Sequence, residues 1–463
     1  MHHPSCDPSC DPSCDPIFDV VVVGGGVVGC AAARALSHCH VSVLLVDARP
    51  DVGAGTSKAN TAILHTGFDA TPGTTESRLV ARGWHLLRSY APGAGISVEE
   101  TGAVLVAWDD EQAAALPRLA DKAAANGYTS TAVIDGGEVR SLEPHLGPGL
   151  TGGLVVPDEH IIDPWTTPLA FAHDARANGA TIETSFEVDR VDVGPEITEL
   201  HATDGRIRRA RFVVNAAGLQ GDRLHRSFGL EGFTIRPRRG ELIVFDKLAR
   251  PLLNRTILPV PTSHTKGVLV APTVFGNLML GPTADDIEDR EATGSTAGGL
   301  ASLREKGHRI LPALADEEVT AVYAGLRAAT EHSDYQLRAH PDLRYVVLGG
   351  IRSTGLTASM ALAEETLVLL GHAGLDVESK DEIVTIRRTP LGERDERPFR
   401  TGGRIVCHCE HVTAAEITAA CNEPLPATDV DGLRRRTRTL AGRCQGFYCY
   451  AEVMAITGWD PAR

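Results

Sequence analysis

A glycine-rich turn between a strand and a helix constrains the fold of this chain more than any other feature. Phe18–Val23 is an apolar run of strand length, and Gly24-Gly-Gly26-Val-Val-Gly29 follows it with the spacing G-x-G-x-x-G. An alanine-rich helix over 30–38 and a second apolar strand over 41–46 come next. This order predicts a βαβ unit whose glycines let the backbone approach a pyrophosphate at the helix N-terminus.

An acidic residue stands where such a nucleotide site needs one. Asp47 closes the second strand, where its carboxylate can accept hydrogen bonds from a ribose diol and would repel a 2′-phosphate. The motif therefore predicts a dinucleotide site that includes Gly24, Gly26, Gly29 and Asp47, and it disfavours NADP. A purely structural glycine turn is the alternative interpretation. The motif alone does not distinguish FAD from NAD.

The composition restricts the classes of function that the chain can serve. Its 463 residues suffice for two or three domains, and 43% hydrophobic with 23% charged residues is typical of soluble globular proteins. A net charge of −15 argues against nucleic-acid binding, because an acidic surface repels phosphate backbones. The longest apolar runs have only strand length, which predicts no transmembrane segment.

The first 16 residues carry a tetrapeptide repeat. Ser-Cys-Asp-Pro occurs three times over residues 5–16, and a proline at every fourth position prevents a regular helix. We expect a disordered tail over 1–16; metal binding by Cys6, Cys10 and Cys14 is the alternative. No basic segment precedes an apolar stretch here, so the cytoplasm is the expected compartment, with docking at the inner membrane through a partner as a further option.

The rest of the chain divides into a bipartite region over 17–372, a linker over 373–402 and a compact module over 403–463. Strands over 211–218 and 345–350 continue the nucleotide-binding part. Short strands elsewhere predict an inserted, largely antiparallel sheet, with examples over 104–108, 186–193, 242–245 and 278–280. The expected fold class is α/β (α+β): a Rossmann-like domain, an inserted mixed β-sheet that binds substrate, and a small helical C-terminal domain.

Two stretches resemble flavoproteins of the D-amino-acid-oxidase superfamily. Phe212-Val-Val-Asn-Ala-Ala-Gly218 is similar to the strand and turn that pass the nucleotide in those enzymes. Gly349-Gly-Ile-Arg-Ser-Thr-Gly-Leu-Thr357 is similar to the segment that closes over their flavin ring and ribityl chain. The resemblance implies FAD as the cofactor. The further residues that it places at the cofactor are Ser57, Val188, Ala217, Gly218, Arg352, Thr354, Gly355, Leu356 and Thr357.

A second group of stretches is similar to FAD-dependent glycerol-3-phosphate dehydrogenases of the anaerobic large-subunit type. Glycerol-phosphate oxidases and L-2-hydroxyglutarate oxidases share a version of the first stretch, the flavin-side loop. The chain departs from this pattern at two positions, with Thr61 in place of the usual serine and Ala328 in place of a common proline. Both departures bear on the assignment of the substrate and leave the predicted fold unchanged. The stretches are Ser57–Asp69, Arg236–Glu241, Thr265–Thr273, Gly276–Thr283 and Tyr323–Ala328.

Four residues in these stretches are the candidates for catalysis. His65 on the flavin-side loop is the candidate base, because imidazole titrates near neutral pH; a histidine that only packs against the flavin is the alternative. Arg327 and Lys266 are the candidate partners of a phosphate or carboxylate, against the alternative of solvated surface charges. Thr61, and Thr354 outside these stretches, offer hydroxyls that can hydrogen-bond substrate or flavin, with ordinary loop hydroxyls as the equal alternative.

Four cysteines near the C-terminus form two close pairs. Cys407-His-Cys409 and Cys444-Gln-Gly-Phe-Tyr-Cys449 can enclose a metal centre, and the tight C-x-C pair favours iron–sulfur over zinc. The module resembles the bacterioferritin-associated-ferredoxin-like domain, which implies a [2Fe–2S] cluster on these four thiolates. Plain thiols remain an alternative to both metals. Cys421, between the pairs, is expected to be a packing cysteine, as are Cys30 and Cys39.

Together these features predict a dehydrogenase that transfers hydride from a small anionic 2-hydroxy substrate, sn-glycerol 3-phosphate, to FAD. A [2Fe–2S] centre passes single electrons, which favours an acceptor protein or a quinone-linked subunit over direct reaction with oxygen. An L-2-hydroxy acid or an amino acid as substrate is the first alternative. A non-catalytic redox or iron-sensing protein is an alternative of another class, and metal storage by the cysteine-rich tail is a third.

Overall fold

A computed structural model describes residues 16–261, 267–392 and 403–460. The helices are α1 Val27–Ser37, α2 Thr75–Ala94, α3 Asp110–Ala125, α4 Gly136–Leu142, α5 Thr166–Ala177, α6 Gly221–Ser227, α7 Ala297–Ile310, α8 Gly355–His372, α9 Ala414–Asn422, α10 Val430–Thr437 and α11 Tyr450–Thr457. The strands are β1 Ile17–Val23, β2 Val43–Val46, β3 Ile63–Leu64, β4 Val98–Glu99, β5 Ala103–Ala107, β6 Ala132–Asp135, β7 Gly152–Val156, β8 His160–Ile162, β9 Thr181–Glu183, β10 Val188–Val193, β11 Thr198–Ala202, β12 Ile207–Asn215, β13 Ile235–Phe245, β14 Thr256–Pro259, β15 Leu269–Pro272, β16 Leu278–Gly281, β17 Asp285–Asp286, β18 Val319–Thr330, β19 Gln336–His340, β20 Tyr345–Gly349, β21 Ile405–Cys407 and β22 Val412–Thr413.

The first sheet has a parallel centre in the order β20-β12-β1-β2-β9, extended by the antiparallel strands β10, β11 and β19. Val20–Val23 and all of β2 are buried, as expected for parallel strands covered on both faces. Helices α1, α5 and α8 pack on one face of this sheet through Ala31, Leu36, Phe171 and Leu370. The predicted βαβ unit is confirmed, although α1 begins at Val27, three residues before the predicted start.

The second sheet has nine strands, and its longest pair is β13 with β18, antiparallel from Ile235↔Thr330 to Phe245↔Val319. The strands predicted over 104–108, 242–245 and 278–280 lie in this sheet. The sheet is mixed, because β14 runs parallel to β5. One assignment was wrong: the strand predicted over 186–193 is β10, which extends the first sheet. Its half-exposed pattern fits any sheet with one solvated face, so periodicity could not assign it.

The C-terminal module has its own core. Helices α9, α10 and α11 and the hairpin β21–β22 pack around Val406, Ile417, Leu433 and Val453. Thr413 begins α9 with a capping box: its side chain accepts a hydrogen bond from Glu416 N, and the Glu416 carboxylate accepts one from Thr413 N.

The described part of the predicted linker, 373–392, is hydrogen-bonded to the C-terminal ends of α1 and α2. Backbone hydrogen bonds join Lys380 N to His38 O at 2.8 Å and Arg388 N to Ala94 O at 2.9 Å. The predicted tail up to Asp15 and the linker over 393–402 lie outside the described residues. Within the three described ranges, no helix has the length and apolarity that crossing a membrane requires.

Candidate active site and cysteine cluster

A cavity of about 1420 Å³ opens at the carboxyl ends of β1 and β2 and extends to the second sheet. Gly24, Gly26 and Asp47 line one end, and Leu258, on the second sheet, lines the other. Ligands bind open α/β sheets at this edge. The volume exceeds the roughly 300–1000 Å³ of pockets for single small ligands, so the cavity can accept a dinucleotide together with a small substrate.

The glycines of the turn allow a close approach of backbones. Gly24 has φ +112°, and a Cβ there would lie 2.4 Å from the carbonyl oxygen of Ala216. A Cβ on Gly29 would lie 1.8 Å from the Gly24 oxygen, so α1 could not pack against the turn. Gly29 therefore supports the site from behind and does not line the cavity.

Side chains from two other segments hold the backbone of the glycine-rich turn and of the first residue of α1. The Asp47 carboxylate accepts hydrogen bonds from Gly25 N at 2.6 Å and Arg49 N at 2.7 Å. Burial raises the pKa of Asp47 despite these bonds. Ser57 Oγ accepts from Val27 N at 2.9 Å and so caps the first turn of α1. The backbone that would meet a pyrophosphate is thus ordered by residues from β2 and the flavin-side loop.

The structure brings most of the predicted cofactor residues to this cavity. Thr357 is an exception: it is fully buried away from it, where its hydroxyl accepts from His65 N at 3.0 Å. The predicted residues that line the cavity are Gly24, Gly26, Asp47, Ser57, Val188, Ala217, Gly218, Arg352, Thr354, Gly355 and Leu356.

Three of the four catalytic candidates, Thr61, His65 and Arg327, also line this cavity. The fourth, Lys266, lies outside the described residues, although Gly267, which follows it, is part of the lining. The flavin-side loop is joined to β18, the strand of Arg327, because Tyr323 Oη donates to Asn60 O at 3.1 Å. The structure therefore brings together the three described candidates from two distant parts of the chain.

The Arg327 side chain extends from β18 toward Gly240 of β13, where a Cβ would lie 2.9 Å from Nη2, so the glycine leaves room for the guanidinium. Its Nη1 donates to the carbonyl of Thr283 at 3.4 Å. Within the described ranges no carboxylate forms an ion pair with Arg327, whereas its cross-strand neighbour Arg238 is paired with Asp286. Burial, and then the charge of Arg238, lower the pKa of Arg327. A partly buried cation that lacks a carboxylate within these ranges suits an anionic ligand.

The sequence did not indicate Glu159, the residue that contacts the candidate base. Its carboxylate has no solvent exposure and lies 3.0 Å from His65 Nδ1. It also accepts hydrogen bonds from Thr66 N at 2.7 Å and Thr66 Oγ1 at 2.9 Å. A single glutamate before a strand belongs to no repeat or motif, so no signal in one sequence could have found it.

The four predicted cysteine ligands come together as two contacting pairs of free thiols, Cys407 with Cys449 and Cys409 with Cys444. The hydrogen bond with Cys449 lowers the pKa of Cys407 to about 6. Backbone N–H groups, including that of Leu440, also point at the Cys407 sulfur. Four thiols in this arrangement, with amide donors toward sulfur, fit an iron–sulfur cluster.

The module docks on the flavin-side loop through ion pairs. Lys58 Nζ lies 2.8 Å from Asp431, and Asp51 accepts two hydrogen bonds from Arg436, at 2.7 and 2.9 Å. Arg435 also contacts Asp51. Helix α10 thus packs against the segment that continues into the wall of the cavity.

An aromatic contact links the same loop to the cysteine cluster. Trp165 Nε1 donates to the carbonyl of Lys58 at 3.1 Å, and its ring packs on Phe275 with centroids 5.1 Å apart. The Arg438 guanidinium lies 4.1 Å from the Phe275 ring and donates through Nε to Glu410, next to Cys409, at 2.8 Å. A continuous series of side-chain contacts therefore joins the flavin-side loop to the residue that follows Cys409.

The fold and these two sites define a flavin-dependent oxidoreductase with an appended iron–sulfur module. Residues 19–367 match the FAD dependent oxidoreductase family, and residues 405–457 match the BFD-like [2Fe-2S] binding domain. The chain belongs to the FAD dependent oxidoreductase family, and its cofactors are FAD and a [2Fe–2S] cluster.

Known relatives share most of this architecture. A glycerol 3-phosphate dehydrogenase of Caloramator mitchellensis is 32% identical over 453 residues, which cover 95% of this chain and 94% of that protein. A solved structure of L-alpha-glycerophosphate oxidase from Mycoplasma pneumoniae with FAD bound has a TM-score of 0.76 at 29% identity, covering 80% of this chain and 98% of that one. The human mitochondrial L-2-hydroxyglutarate dehydrogenase is 30% identical over 286 residues, 58% of this chain and 61% of that protein.

Proposed function

We propose that the protein is a dehydrogenase that oxidises sn-glycerol 3-phosphate to dihydroxyacetone phosphate. The observation that carries the proposal is one cavity that joins the glycine-rich turn to His65 and Arg327. A base and a partly buried cation at the substrate end match a substrate with a secondary hydroxyl and a phosphate. The similarity to a glycerol 3-phosphate dehydrogenase over 95% of the chain supports the same substrate.

The cavity-lining residues would hold FAD in a defined direction. The Gly24–Gly26 turn and the N-terminus of α1 would bind the pyrophosphate, and Asp47 the ribose of the adenosine half. Ser57 orders that turn through Val27 N. Toward the substrate end, the flavin half would meet the α8 N-terminal segment with Arg352, Thr354, Gly355 and Leu356.

The chain's own residues would manage the proton and the charge of the substrate. FAD, when bound, supplies the acceptor for the hydride that leaves the carbinol carbon. His65 would accept the hydroxyl proton, so that the alcohol becomes a ketone as the hydride departs. Arg327 would bind the phosphate, with Lys266 as a second cation, and Thr61 would hydrogen-bond substrate or flavin.

The C-terminal module would carry the electrons away. Cys407, Cys409, Cys444 and Cys449 would be the ligands of the [2Fe–2S] cluster, which passes electrons one at a time. A one-electron relay is suited to an acceptor protein or a quinone-linked subunit. Docking of the module against the cavity wall, through Lys58 and Asp431, supports a relay that begins at the flavin.

Anaerobic titration of the purified holoenzyme with sn-glycerol 3-phosphate tests the substrate. We expect loss of the oxidised flavin absorption bands. The second candidate is an L-2-hydroxy acid, favoured by the relatedness to L-2-hydroxyglutarate dehydrogenase, so L-2-hydroxyglutarate is titrated in parallel. Bleaching by the hydroxy acid alone would replace the proposed substrate. A flavin that neither compound reduces would refute both.

A further inference from the structure

The carboxylate of Glu159 lies against His65, which lines the cavity, but does not itself line it. It is fully buried, and its hydrogen bonds within the described residues are with His65 and Thr66. Burying a carboxylate is costly unless hydrogen bonds compensate it. Three hydrogen bonds do so here, two donated by Thr66 and one shared with Nδ1 of the imidazole.

Strand pairing explains why these two side chains meet. Strands β3 and β8 are antiparallel with Leu64 opposite His160, so the next positions along each strand bring His65 opposite Glu159. The backbone of His65 is fixed independently, since its N–H donates to the Thr357 hydroxyl at 3.0 Å. Backbone and side chain of His65 are therefore both held by buried groups.

From this geometry we infer that Glu159 is a positioning residue that sets the tautomer of His65. An ionised carboxylate only accepts hydrogen bonds, so Nδ1 of His65 must be the donor. In the neutral ring the basic nitrogen is then Nε2. This inference rests on the proposed role of His65 as the base, which it refines by naming the atom that receives the proton.

The proton and the electrons can be followed through the step. The substrate hydroxyl proton passes to Nε2 of His65, while the hydride with its electron pair passes to the flavin, so substrate is oxidised and flavin reduced. The imidazolium that forms remains hydrogen-bonded through Nδ1 to Glu159, whose charge stabilises it. His65 then returns this proton to solvent before the next turnover.

The test is Glu159→Gln in the holoenzyme. Thr66 N must still donate to an acceptor, so the amide oxygen faces Thr66 and the amide NH2 faces His65. The amide then donates to Nδ1 and forces the hydrogen onto Nε2, where no proton can be accepted. We expect flavin reduction by glycerol 3-phosphate to slow by roughly 10²–10⁴-fold, the range for loss of a general base or its correct tautomer, with a smaller change in KM.

Ring-nitrogen NMR of histidine-labelled protein gives a readout that does not depend on turnover. The wild type should show His65 protonated at Nδ1, and Glu159→Gln should shift the proton to Nε2; His65→Asn assigns the signal. Adding Glu159→Gln to His65→Asn should cause no further loss of rate, because the two act as one unit. Glu143→Gln is the matched control: Glu143 is equally buried but accepts from the backbone of Asn254 and Arg255, and its exchange should leave the rate unchanged.

Each result decides something specific. Three outcomes would each overturn the positioning role of Glu159. They are protonation of wild-type His65 at Nε2, a wild-type rate in Glu159→Gln, and losses of rate that multiply in the double variant. The wild-type tautomer gives an answer even if Glu159→Gln does not fold. Failure of glycerol 3-phosphate to reduce the wild-type flavin would instead refute the proposed function and leave the tautomer result standing.

Discussion

Replacing Asp51 by asparagine should loosen the C-terminal module from the flavin-binding lobe. Asp51 is 4% exposed and forms ion pairs with two arginines of α10, Arg435 and Arg436, whose side chains are 3% and 1% exposed. Burial raises the pKa of Asp51, but the hydrogen bonds and charges of Arg436 and Arg435 more than reverse this, and the net pKa lies below the ordinary value. The carboxylate is therefore ionised throughout the neutral range.

The magnitude follows from what the arginines keep after the change. Removing one partner of a buried ion pair costs about 3–5 kcal/mol, because the remaining charge stays buried. Arg436 retains Glu423 at 2.6 Å and the carbonyl of Leu425, which places the expected cost near the lower limit. A loss of about 3 kcal/mol corresponds to roughly two orders of magnitude in the opening equilibrium of the module.

Native-state hydrogen exchange of the holoenzyme measures this opening. Amides of α10 should exchange roughly a hundredfold faster in Asp51→Asn, while those of β1 should keep their protection. In an Arg435→Met background the same change should cost less, since one of the stranded charges is gone. Glu100→Gln is the control: its pair with Arg88 is exposed and contributes at most about 1 kcal/mol.

Wild-type exchange of α10 in Asp51→Asn would refute the reasoning. It would mean that the arginines find other partners without cost, or that the module is held by its apolar contacts alone. An equal acceleration in α10 and β1 would also contradict it, because the effect would then be global unfolding and not undocking.

Three further predictions concern pH, the nucleotide turn and the substrate. Burial raises the pKa of Glu423, but a histidine and two arginines lower it to about 2. The stability that this carboxylate contributes is therefore complete above pH 4.5 and is lost as the pH falls toward 2. Hydrogen exchange of the α9 amides as a function of pH measures this loss, and Glu423→Gln should flatten the profile. Gly29→Ala should abolish flavin retention, because the new methyl would lie 1.8 Å from the Gly24 oxygen; Gly371→Ala, with open space around it, should retain wild-type flavin content. Arg327→Met should lower kcat/KM for glycerol 3-phosphate roughly 10- to 150-fold with flavin content intact, the equivalent of about 1.5–3 kcal/mol for hydrogen bonds to a charged group; an unchanged ratio would remove Arg327 from the site.

Local patterns predicted the elements that depend on local sequence. The βαβ unit could be predicted because a buried strand, a glycine turn and a helix follow one another within 30 residues. The two cysteine pairs could be predicted because metal ligands have a tight spacing. The assignment of β10 was wrong because alternation of exposed and half-buried residues defines a strand without identifying its partners.

Contacts between distant segments could not be predicted in this way. Glu159 becomes part of the site only through the pairing of β3 with β8, which depends on the whole fold. Arg435 and Arg436 lie in an arginine-rich helix, a composition that usually indicates a solvated surface. They are buried because Asp51, nearly 400 positions earlier in the chain, supplies their counter-charge.

The segment that α10 contacts also lines the cavity proposed for FAD, so we expect flavin binding and docking of the module to be thermodynamically coupled. Asp51 and Lys58 hold the module, while Ser57 between them caps α1 through Val27 N. A ligand that orders this segment favours every contact made by it, and the effect is reciprocal. Flavin loading should therefore raise the temperature at which the module undocks, and a seated module should slow the escape of FAD. Loading of the flavin and seating of the module then stabilise each other whichever comes first, so the enzyme that has both should resist the loss of either.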